Sequence, residues 1–512
     1  MQEEKPAAIS VGKVVLATVV SKILGFLRET FIAAVFGASR LTDAYLVAAT
    51  VPGMLFSGFQ NALQTTVVPV FTEVLARAGK REAFDMLNSL INLVLLISLA
   101  FISIGMLAVP WVVHALAPGF EPEMKELSVR LARIMFPLIL FWVLTGIISG
   151  ILNTFSQFTV PALVGVPYNL IIIISVFTLG NYFGIYGLAW GTLLAVVSQV
   201  VFQLPGFFKL GPHYRCVLNI RDPGVIKIAR LSVPVLLSAV FSQISVIVDR
   251  VLASGLEAGS IAALSFADRV NALALGLVAT SIATVMFPAL SRDIAEEQIE
   301  EFKAKVISGL TVVSYVVLPV AVALVILAEP IVRVIFQRGA FGVRDTELTA
   351  IALRYYALGT LAVAIRIYLE KVYYSLKDSL TPMVLGAVSL LLYIILSIIL
   401  VRYLALGGLA LGISLAQSIY VMAAFWILKK RGLLRTRLLL SSGAKIVLGA
   451  LAMAVVLYSG SLWLRPVFPG NFTGQLGYII VSGGLGALCY FFITLALKAP
   501  EPIRLWSLIR RQ

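Results

Sequence analysis

Three charged side chains interrupt the first apolar segment of the chain, in the stretch SKILGFLRET at 21–30. They are Lys22, Arg28 and Glu29, and Gly25 lies between the two cations. An ionisable residue at bilayer depth costs on the order of 2.5–3.5 kcal/mol on insertion scales, so such residues usually face a cavity or a partner. Arginine binds phosphate through paired, charge-assisted hydrogen bonds. This segment therefore predicts a cationic cavity for an anionic, phosphate-bearing ligand.

Polar residues in other apolar segments extend this candidate site. Asp43 opens the second segment, and Arg269 follows Asp268 in the eighth. The supporting polar side chains are Gln60, Asn61, Gln64, Asp249 and Asn271. Two interpretations stay open. Either the cations line one cavity, or Arg28 only pairs with Glu29 or Asp43, and Arg269 with Asp268 or Asp249.

The composition defines the elements that must hold these residues. Of 512 residues 60% are apolar and 13% charged, and the mean hydropathy is +1.00. This excludes a soluble enzyme, a disordered chain and a fibrous protein, and it predicts an all-α polytopic membrane protein. The net charge of +15 needs no nucleic-acid partner, because membrane proteins concentrate Lys and Arg in cytoplasmic loops. Two cysteines and two histidines, far apart, build neither a disulfide framework nor a metal site.

The apolar runs predict fourteen transmembrane helices, each long enough to cross a bilayer. The predicted spans are 10–36, 43–71, 86–112, 128–152, 159–179, 186–208, 228–252, 259–289, 306–328, 348–372, 380–401, 407–428, 443–464 and 475–497. The richest basic segments, 209–230 and 429–437, then lie on the same side as both termini, which predicts that both termini are cytoplasmic. The final segment, 502–512, is read as an amphipathic interfacial helix or a frayed tail.

An internal repeat of about 220 residues divides the chain. Pro110 aligns with Pro330, and GLAWGTLLA at 187–195 aligns with GLALGISLA at 408–416. Six spans per unit, an even number, return the chain to the side of the membrane on which it started. The two halves are therefore predicted to be parallel lobes related by a pseudo-twofold axis. Transporters that rock two lobes about a central site have this design. The predicted parts are an N-lobe at 1–215, a C-lobe at 216–430, and two further helices with the tail at 431–512.

Catalytic motifs are missing from the sequence. It has no GxxxxGK[ST] loop for ATP, no GxSxG elbow and no HExxH. We therefore predict that the chain is not an enzyme and carries no cofactor. Energy would come from a monovalent ion gradient, the membrane potential or substrate flow.

Two segments resemble a known family. SKILGFLRETFIAAVFGASRLTDAYLVA at 21–48 and SFADRVNALALGLVATSIATVMFPALSRD at 265–293 resemble the MurJ/MviN lipid II flippase family, of the multidrug/oligosaccharidyl-lipid/polysaccharide exporter superfamily. The resemblance in length and 6 + 6 + 2 layout covers the whole chain. It implies a monomer in the bacterial cytoplasmic (inner) membrane that moves lipid II to the outer leaflet. It also implies contact with membrane lipids and with the cell-wall synthesis machinery.

The resemblance also implies the site. The family's cavity residues fall on Lys22, Arg28, Glu29, Asp43 and Arg269. Its arginine in the second helix has no counterpart in VPGMLFSGFQNALQ at 51–64. A sodium site reported in the family would use Asp249, but its partners on the eleventh helix fall on the poorer ligands Tyr393 and Ser397, so we assign no metal.

Three alternatives to lipid II transport remain. The first is a flippase for another polyprenyl-pyrophosphate glycan of O-antigen or capsule type, which would need the same cationic cavity. The second is an ion-coupled drug exporter of the same superfamily, whose cationic substrates Lys22, Arg28 and Arg269 would repel. The third is a membrane scaffold, which needs neither the repeat nor the buried cations.

Overall fold

The apolar runs form long helices throughout the computed structural model, which describes residues 4–211, 214–434 and 436–502. The described residues contain helices and connecting segments but no strand. The helices are α1 (Glu4–Phe36), α2 (Arg40–Ala78), α3 (Lys80–Leu116), α4 (Pro122–Met135), α5 (Leu138–Thr154), α6 (Thr159–Leu163), α7 (Gly165–Phe177), α8 (Leu179–Phe183), α9 (Ile185–Lys209), α10 (Pro223–Ala253), α11 (Ser260–Ala295), α12 (Ile299–Ile326), α13 (Ala328–Phe336), α14 (Val343–Ser375), α15 (Leu380–Leu404), α16 (Leu406–Lys430), α17 (Thr436–Trp463) and α18 (Phe472–Ala496).

Local capping explains where several of these helices begin. The Ser39 hydroxyl accepts a hydrogen bond from the backbone N–H of Thr42 at the start of α2. The Asp222 carboxylate accepts from the N–H groups of Gly224 and Val225 at the start of α10. Such side chains satisfy N–H groups that have no partner within the helix. The loop residues Ser and Asp therefore define the helix starts that the apolar runs leave open.

All fourteen predicted spans coincide with one helix or with two consecutive helices. Eleven helical segments of the described chain are long and apolar enough to cross a membrane, and α11, bent by 41° after Leu275, makes twelve. The other two predicted spans, α1 and α10, are continuous helices of 33 and 31 residues. At 1.5 Å per residue each is roughly 46–50 Å long, against about 30 Å of hydrocarbon. The all-helical membrane fold is confirmed, whereas the number of fourteen crossings stays a prediction.

The internal repeat recurs as a packing detail. A Cβ atom on Gly187 would lie 2.0 Å from the carbonyl oxygen of Leu179, and one on Gly408 would lie 2.4 Å from that of Leu400. Each residue of the second pair follows its counterpart by 221 residues, the offset read from the sequence. Only a glycine allows the backbones to approach so closely. The repeat therefore keeps the same helix contact in both halves of the chain.

The backbone turn before each of these glycines is also shared. Gly184, before α9, has φ 57° and ψ −136°, and Ala405, before α16, has φ 47° and ψ −129°. These two residues are also 221 positions apart. The second copy thus holds an alanine in a conformation that favours glycine.

Contacts between the helices divide the chain into two units. Unit 1 is Met1–Ala262 with Arg338–Phe341, and its core lies where α2, α3, α5 and α10 meet around Phe71 and Ile147. Unit 2 is Ala263–Gln337 with Gly342–Gln512, and its core lies among α11, α12, α14 and α16. The predicted lobe boundary between residues 215 and 216 is a boundary of the sequence repeat and stays a prediction.

The two helices beyond the repeat are part of unit 2. α17 packs against α12 and α18, and a core around Met453 and Leu457 fills their interface. The Tyr490 hydroxyl of α18 donates a 2.8 Å hydrogen bond to the carbonyl oxygen of Tyr315 on α12. The appended pair is therefore fixed to one helix of the repeat by both apolar and polar contacts. The predicted amphipathic helix at 502–512 lies outside the described residues, apart from Pro502.

Candidate functional site

Arg28 is the most enclosed of the predicted cavity cations. Its side chain is 16% exposed, and its Nη2 lies 2.5 Å from Oε1 of the neighbouring Glu29. Adjacent helix residues point about 100° apart, so the two side chains must bend toward each other to meet. Arg28 thus pairs directly with Glu29, as one of the two interpretations of the sequence proposed. That contact keeps a cation inside unit 1 together with its counter-charge.

Asn169 holds the other side of the guanidinium. Its Oδ1 accepts a 3.1 Å hydrogen bond from Arg28 Nη1, and its Nδ2 donates to the carbonyl oxygens of Ser21 and Gly165 at 3.1 and 2.8 Å. Asn169 is 5% exposed, so its amide oxygen is dedicated to Arg28. α1 and α7 are thereby linked at the level of the cation.

An aromatic face completes this arrangement. The guanidinium carbon of Arg28 lies 5.3 Å from the centre of the Tyr168 ring. A ring at that distance attracts a cation and shields one face of the guanidinium from water. We call Arg28, Glu29, Tyr168 and Asn169 the Arg28 cluster.

Tyr168 and Asn169 were not among the predicted site residues. They stand in the apolar run GVPYNLIIII, where a lone amide is a signal that a polar partner lies nearby. That partner is on α1, 141 residues earlier in the chain. No periodicity in the sequence relates two positions so far apart.

Lys22 lies on α1 about 1.7 turns before Arg28, and its side chain is exposed. Among the residues that the structure describes, Lys22 forms no hydrogen bond or ion pair. It differs in this from Arg28, which already has a carboxylate and an amide as partners. The two predicted cations of α1 are therefore held differently.

Asp43 contacts the backbone at the start of α11. Its carboxylate accepts hydrogen bonds from the N–H groups of Gly259 and Ala262, at 2.7 and 2.8 Å, and the residue is 4% exposed. These N–H groups belong to a helix start, where backbone donors lack partners within the helix and favour a negative charge. The structure thus gives this carboxylate a helix-capping contact, and its part in the substrate site stays a prediction.

The supporting residues of the second and seventh spans are spread over unit 1. Gln60 and Gln64 are half-buried on α2, whereas Asn61 on the same helix is exposed. Asp249 is half-buried near the end of α10. Next to it, Arg250 donates through Nε to the Thr50 hydroxyl at 3.3 Å.

Arg269 and its neighbours lie on the part of α11 that belongs to unit 2. Asp268 and Arg269 are both exposed. Asn271 is buried, and its Oδ1 accepts a 2.5 Å hydrogen bond from the Thr360 hydroxyl on α14. Asn271 therefore fixes this turn of α11 against α14, and Arg269 projects from the same turn.

The chemistry of these groups is binding chemistry. Arg28 offers five N–H donors, of which two are engaged by described residues. Within the described ranges there is no group of three His, Cys, Asp or Glu residues that could hold a metal ion. The Arg28 cluster suits an anion that approaches the remaining donors.

Known proteins share the sequence and the fold. The profile of the family described as lipid II flippase MurJ matches residues 32–476. A probable lipid II flippase MurJ of Rhizobium tropici is 31% identical over 502 residues, covering 93% of this chain and 91% of that protein. A solved lipid II flippase MurJ in an inward closed conformation has a TM-score of 0.78 and 28% identity, covering 97% of this chain and 99% of the other.

A more distant structure shares the fold alone. It is an inward-facing multidrug resistance MATE-family transporter of the MOP superfamily, with a TM-score of 0.66 and 16% identity, covering 80% of this chain and 94% of the other. The resemblance that the segments at 21–48 and 265–293 indicated is thus confirmed along almost the whole chain. This chain belongs to the lipid II flippase MurJ family.

Proposed function

We propose that this chain is a lipid II flippase, which moves the lipid-linked peptidoglycan precursor from the inner to the outer leaflet of the bacterial cytoplasmic membrane. Family membership over residues 32–476 supports the substrate. The observation that carries the mechanism is the Arg28 cluster, in which a largely buried guanidinium keeps donors for an anion inside an apolar helical unit. The cations Lys22, Arg28 and Arg269 would repel the cationic substrates of a drug exporter.

In this proposal Lys22, Arg28 and Arg269 hold the pyrophosphate. Tyr168 and Asn169 hold Arg28 in one orientation, so that its remaining N–H donors are ready for phosphate oxygens. Glu29 neutralises the guanidinium when no substrate is bound and gives up part of that contact to the phosphate. The Glu29 carboxylate and the phosphate then compete for the same guanidinium, which weakens phosphate binding and favours release of the substrate.

Translocation in this proposal is alternating access of the central cationic cavity. The chain performs no covalent chemistry and needs no cofactor. Lipid II carries two negative charges on its pyrophosphate. An inside-negative membrane potential favours their outward movement by about 2.3 kcal/mol per charge per 100 mV. The membrane potential would therefore help to drive the cycle, and a monovalent ion gradient is the other candidate energy source. In this proposal both termini lie in the cytoplasm, and the chain acts as a monomer.

Complementation tests this function. A bacterium whose own lipid II flippase is depleted should grow and keep its shape when it expresses the wild-type chain. It should lyse when it expresses Arg28→Ala or Arg269→Ala at equal abundance. Growth with the wild type establishes the substrate class, and growth with both variants would remove these cations from the site. A low abundance of the Arg28→Ala protein would instead support a purely structural ion pair with Glu29.

A further inference from the structure

A second group of cations lies in unit 1, away from the Arg28 cluster. It surrounds a cavity of about 390 Å³ between the first turns of α3 and the segment after α9. The residues that line it are Lys80, Arg81, Phe84, Asp85, Gly211 and Arg215. We call it the basic cavity. Its volume is within the range of about 300–1,000 Å³ that small-molecule sites occupy.

The segment after α9, which forms one wall of the basic cavity, is held in place by the buried side-chain amide of Asn92. Asn92 of α3 donates through Nδ2 to the carbonyl oxygens of Arg215 and Val217, at 3.1 and 2.8 Å. Its Oδ1 accepts a 2.7 Å hydrogen bond from the Tyr214 hydroxyl. A buried amide with all these bonds holds the segment at one place on α3. The position of Arg215 is thus set by the fold.

The cations of this cavity are poorly neutralised. Asp85 is the one acid among the lining residues, and its Oδ1 is 3.9 Å from Arg215 Nη1, too long for a hydrogen bond. Lys80 and Arg81 form no ion pair with any described residue. The nearby cations Arg77 and Lys227, in contrast, are both paired with Glu73. Basic residues that only set the membrane orientation of the chain must lie in a cytoplasmic loop, but they need not converge on one cavity.

The rest of α3 suits a lipid. Beyond the cavity the helix exposes large apolar side chains, among them Leu96, Ile97, Ile104 and Leu107. The basic cavity lies at the end of α3 that the predicted topology places at the cytoplasmic face. Anionic lipids of that leaflet attract basic side chains near the surface.

We propose that the basic cavity binds the phosphate of an anionic phospholipid of the cytoplasmic leaflet, with the acyl chains along the exposed apolar side of α3. Lys80, Arg81 and Arg215 supply the charge, and the ring of Phe84, 6.0 Å from Lys80 Nζ, backs the ammonium group. This site is separate from lipid II transport, so its test does not depend on the function proposed above.

Lipid binding to the full chain in detergent tests the site. The probes are fluorescent phosphatidylglycerol and fluorescent phosphatidylcholine, each competed with unlabelled lipid or with inorganic phosphate. Two surface cations near an anionic headgroup are together worth roughly 25-fold in affinity. Lys80→Gln/Arg81→Gln should therefore bind phosphatidylglycerol about 25-fold more weakly, with phosphatidylcholine unchanged. The matched control Arg221→Gln/Arg230→Gln removes two exposed cations that line a separate cavity of about 530 Å³, whose third cation, Lys227, is already paired with Glu73. It should bind like the wild type.

A charge-preserving variant protects the test against misfolding. Lys80→Arg/Arg81→Lys should bind phosphatidylglycerol as the wild type does, and the single change Arg81→Gln should lose about fivefold. An equal loss in the Arg221→Gln/Arg230→Gln control would overturn the site in favour of diffuse charge. Displacement of the lipid by inorganic phosphate at the same concentration would overturn the lipid as its occupant.

Discussion

At the scale of single residues, the two cations of α1 differ in how they are held. Arg28 contacts two groups through different nitrogens, Asn169 through Nη1 and Glu29 through Nη2, whereas Lys22 is exposed. A lysine at position 28 has one nitrogen and does not reproduce that fork. Position 22 therefore needs a positive charge, whereas position 28 needs the geometry of a guanidinium.

This difference gives the first prediction. Arg28→Lys should keep only part of the transport activity, whereas Lys22→Arg should be tolerated and Lys22→Gln should not. Lipid II at the outer leaflet of flippase-depleted cells measures all three. Arg77→Lys, a surface pair with Glu73, is the control and should transport normally. Full transport by Arg28→Lys would leave a general electrostatic cavity as the better account.

Asn169 gives a second prediction. Asn169→Ala removes three hydrogen bonds and should lower the free energy of unfolding by about 1–3 kcal/mol, since buried partners lose their bonds. It should also reduce transport, because Arg28 loses its fixed orientation. The control is Asn181→Ala. The exposed Asn181 amide donates to the carbonyl oxygen of Phe177, four residues earlier, so this change should alter neither the free energy of unfolding nor transport.

The role of Asn169 through Arg28 is distinguishable from a general structural role. In an Arg28→Lys background, which keeps part of the transport, Asn169→Ala should cost little further transport, because the guanidinium fork that Asn169 orients is gone. Additive losses in this double-mutant comparison would mean that Asn169 acts independently of Arg28.

The residue scale also shows where sequence reasoning ended. The cations were visible because a charge stands out in an apolar run, as Arg28 does in SKILGFLRET. Their partners were not, because the Asn169 amide meets Arg28 only after α1 and α7 pack together. The backbone N–H groups from which the Asp43 carboxylate accepts hydrogen bonds likewise have no signature in the sequence.

At the scale of the elements, run length and composition located the helices well. Each predicted span lies on one helix or on consecutive helices, because a segment that crosses the hydrocarbon core needs about 20 apolar residues. Hydropathy did not predict the break between α4 and α5 at Phe136–Pro137 or the separate short helix α13. Pro137 is itself a helix-breaking residue, but the apolar run continues across it. The break and α13 both depend on packing and on local backbone geometry rather than on hydropathy.

The repeated turn before α9 and α16 yields a third prediction. Ala405 holds φ 47° where its counterpart is Gly184, and such a conformation costs an alanine about 1 kcal/mol or more. Ala405→Gly should therefore raise the melting midpoint of the purified protein, and Gly184→Ala, a site with no atom within 4 Å of the added Cβ, should lower it. Transport should be unchanged in both. A lower midpoint for Ala405→Gly would show that the turn is not strained.

At the scale of the whole molecule, the topology is the open prediction. Cys216 is an exposed native cysteine in the segment between α9 and α10, which the N-inside arrangement places in the cytoplasm. In a Cys489→Ser background it should resist a membrane-impermeant maleimide in intact cells and react after permeabilisation. Gly470→Cys, before α18, should react from outside. Labelling of Cys216 in intact cells would reverse the orientation.

The family of the chain and one physical feature, a guanidinium kept inside an apolar unit, both point to an anionic lipid substrate. The sequence predicted the family and the helical membrane fold, because both follow from patterns along the chain. It did not predict which helices form each contact unit, since that depends on long-range packing such as that of α10 against α2.

The most direct test is the amount of lipid II on the outer leaflet of flippase-depleted cells, read with an impermeant reagent added from outside. Cells with the wild-type chain should expose lipid II at normal levels. Cells with Arg28→Ala at equal protein abundance should accumulate it on the inner leaflet. Normal exposure of lipid II by a well-expressed Arg28→Ala chain, or none by the wild type, would contradict the account.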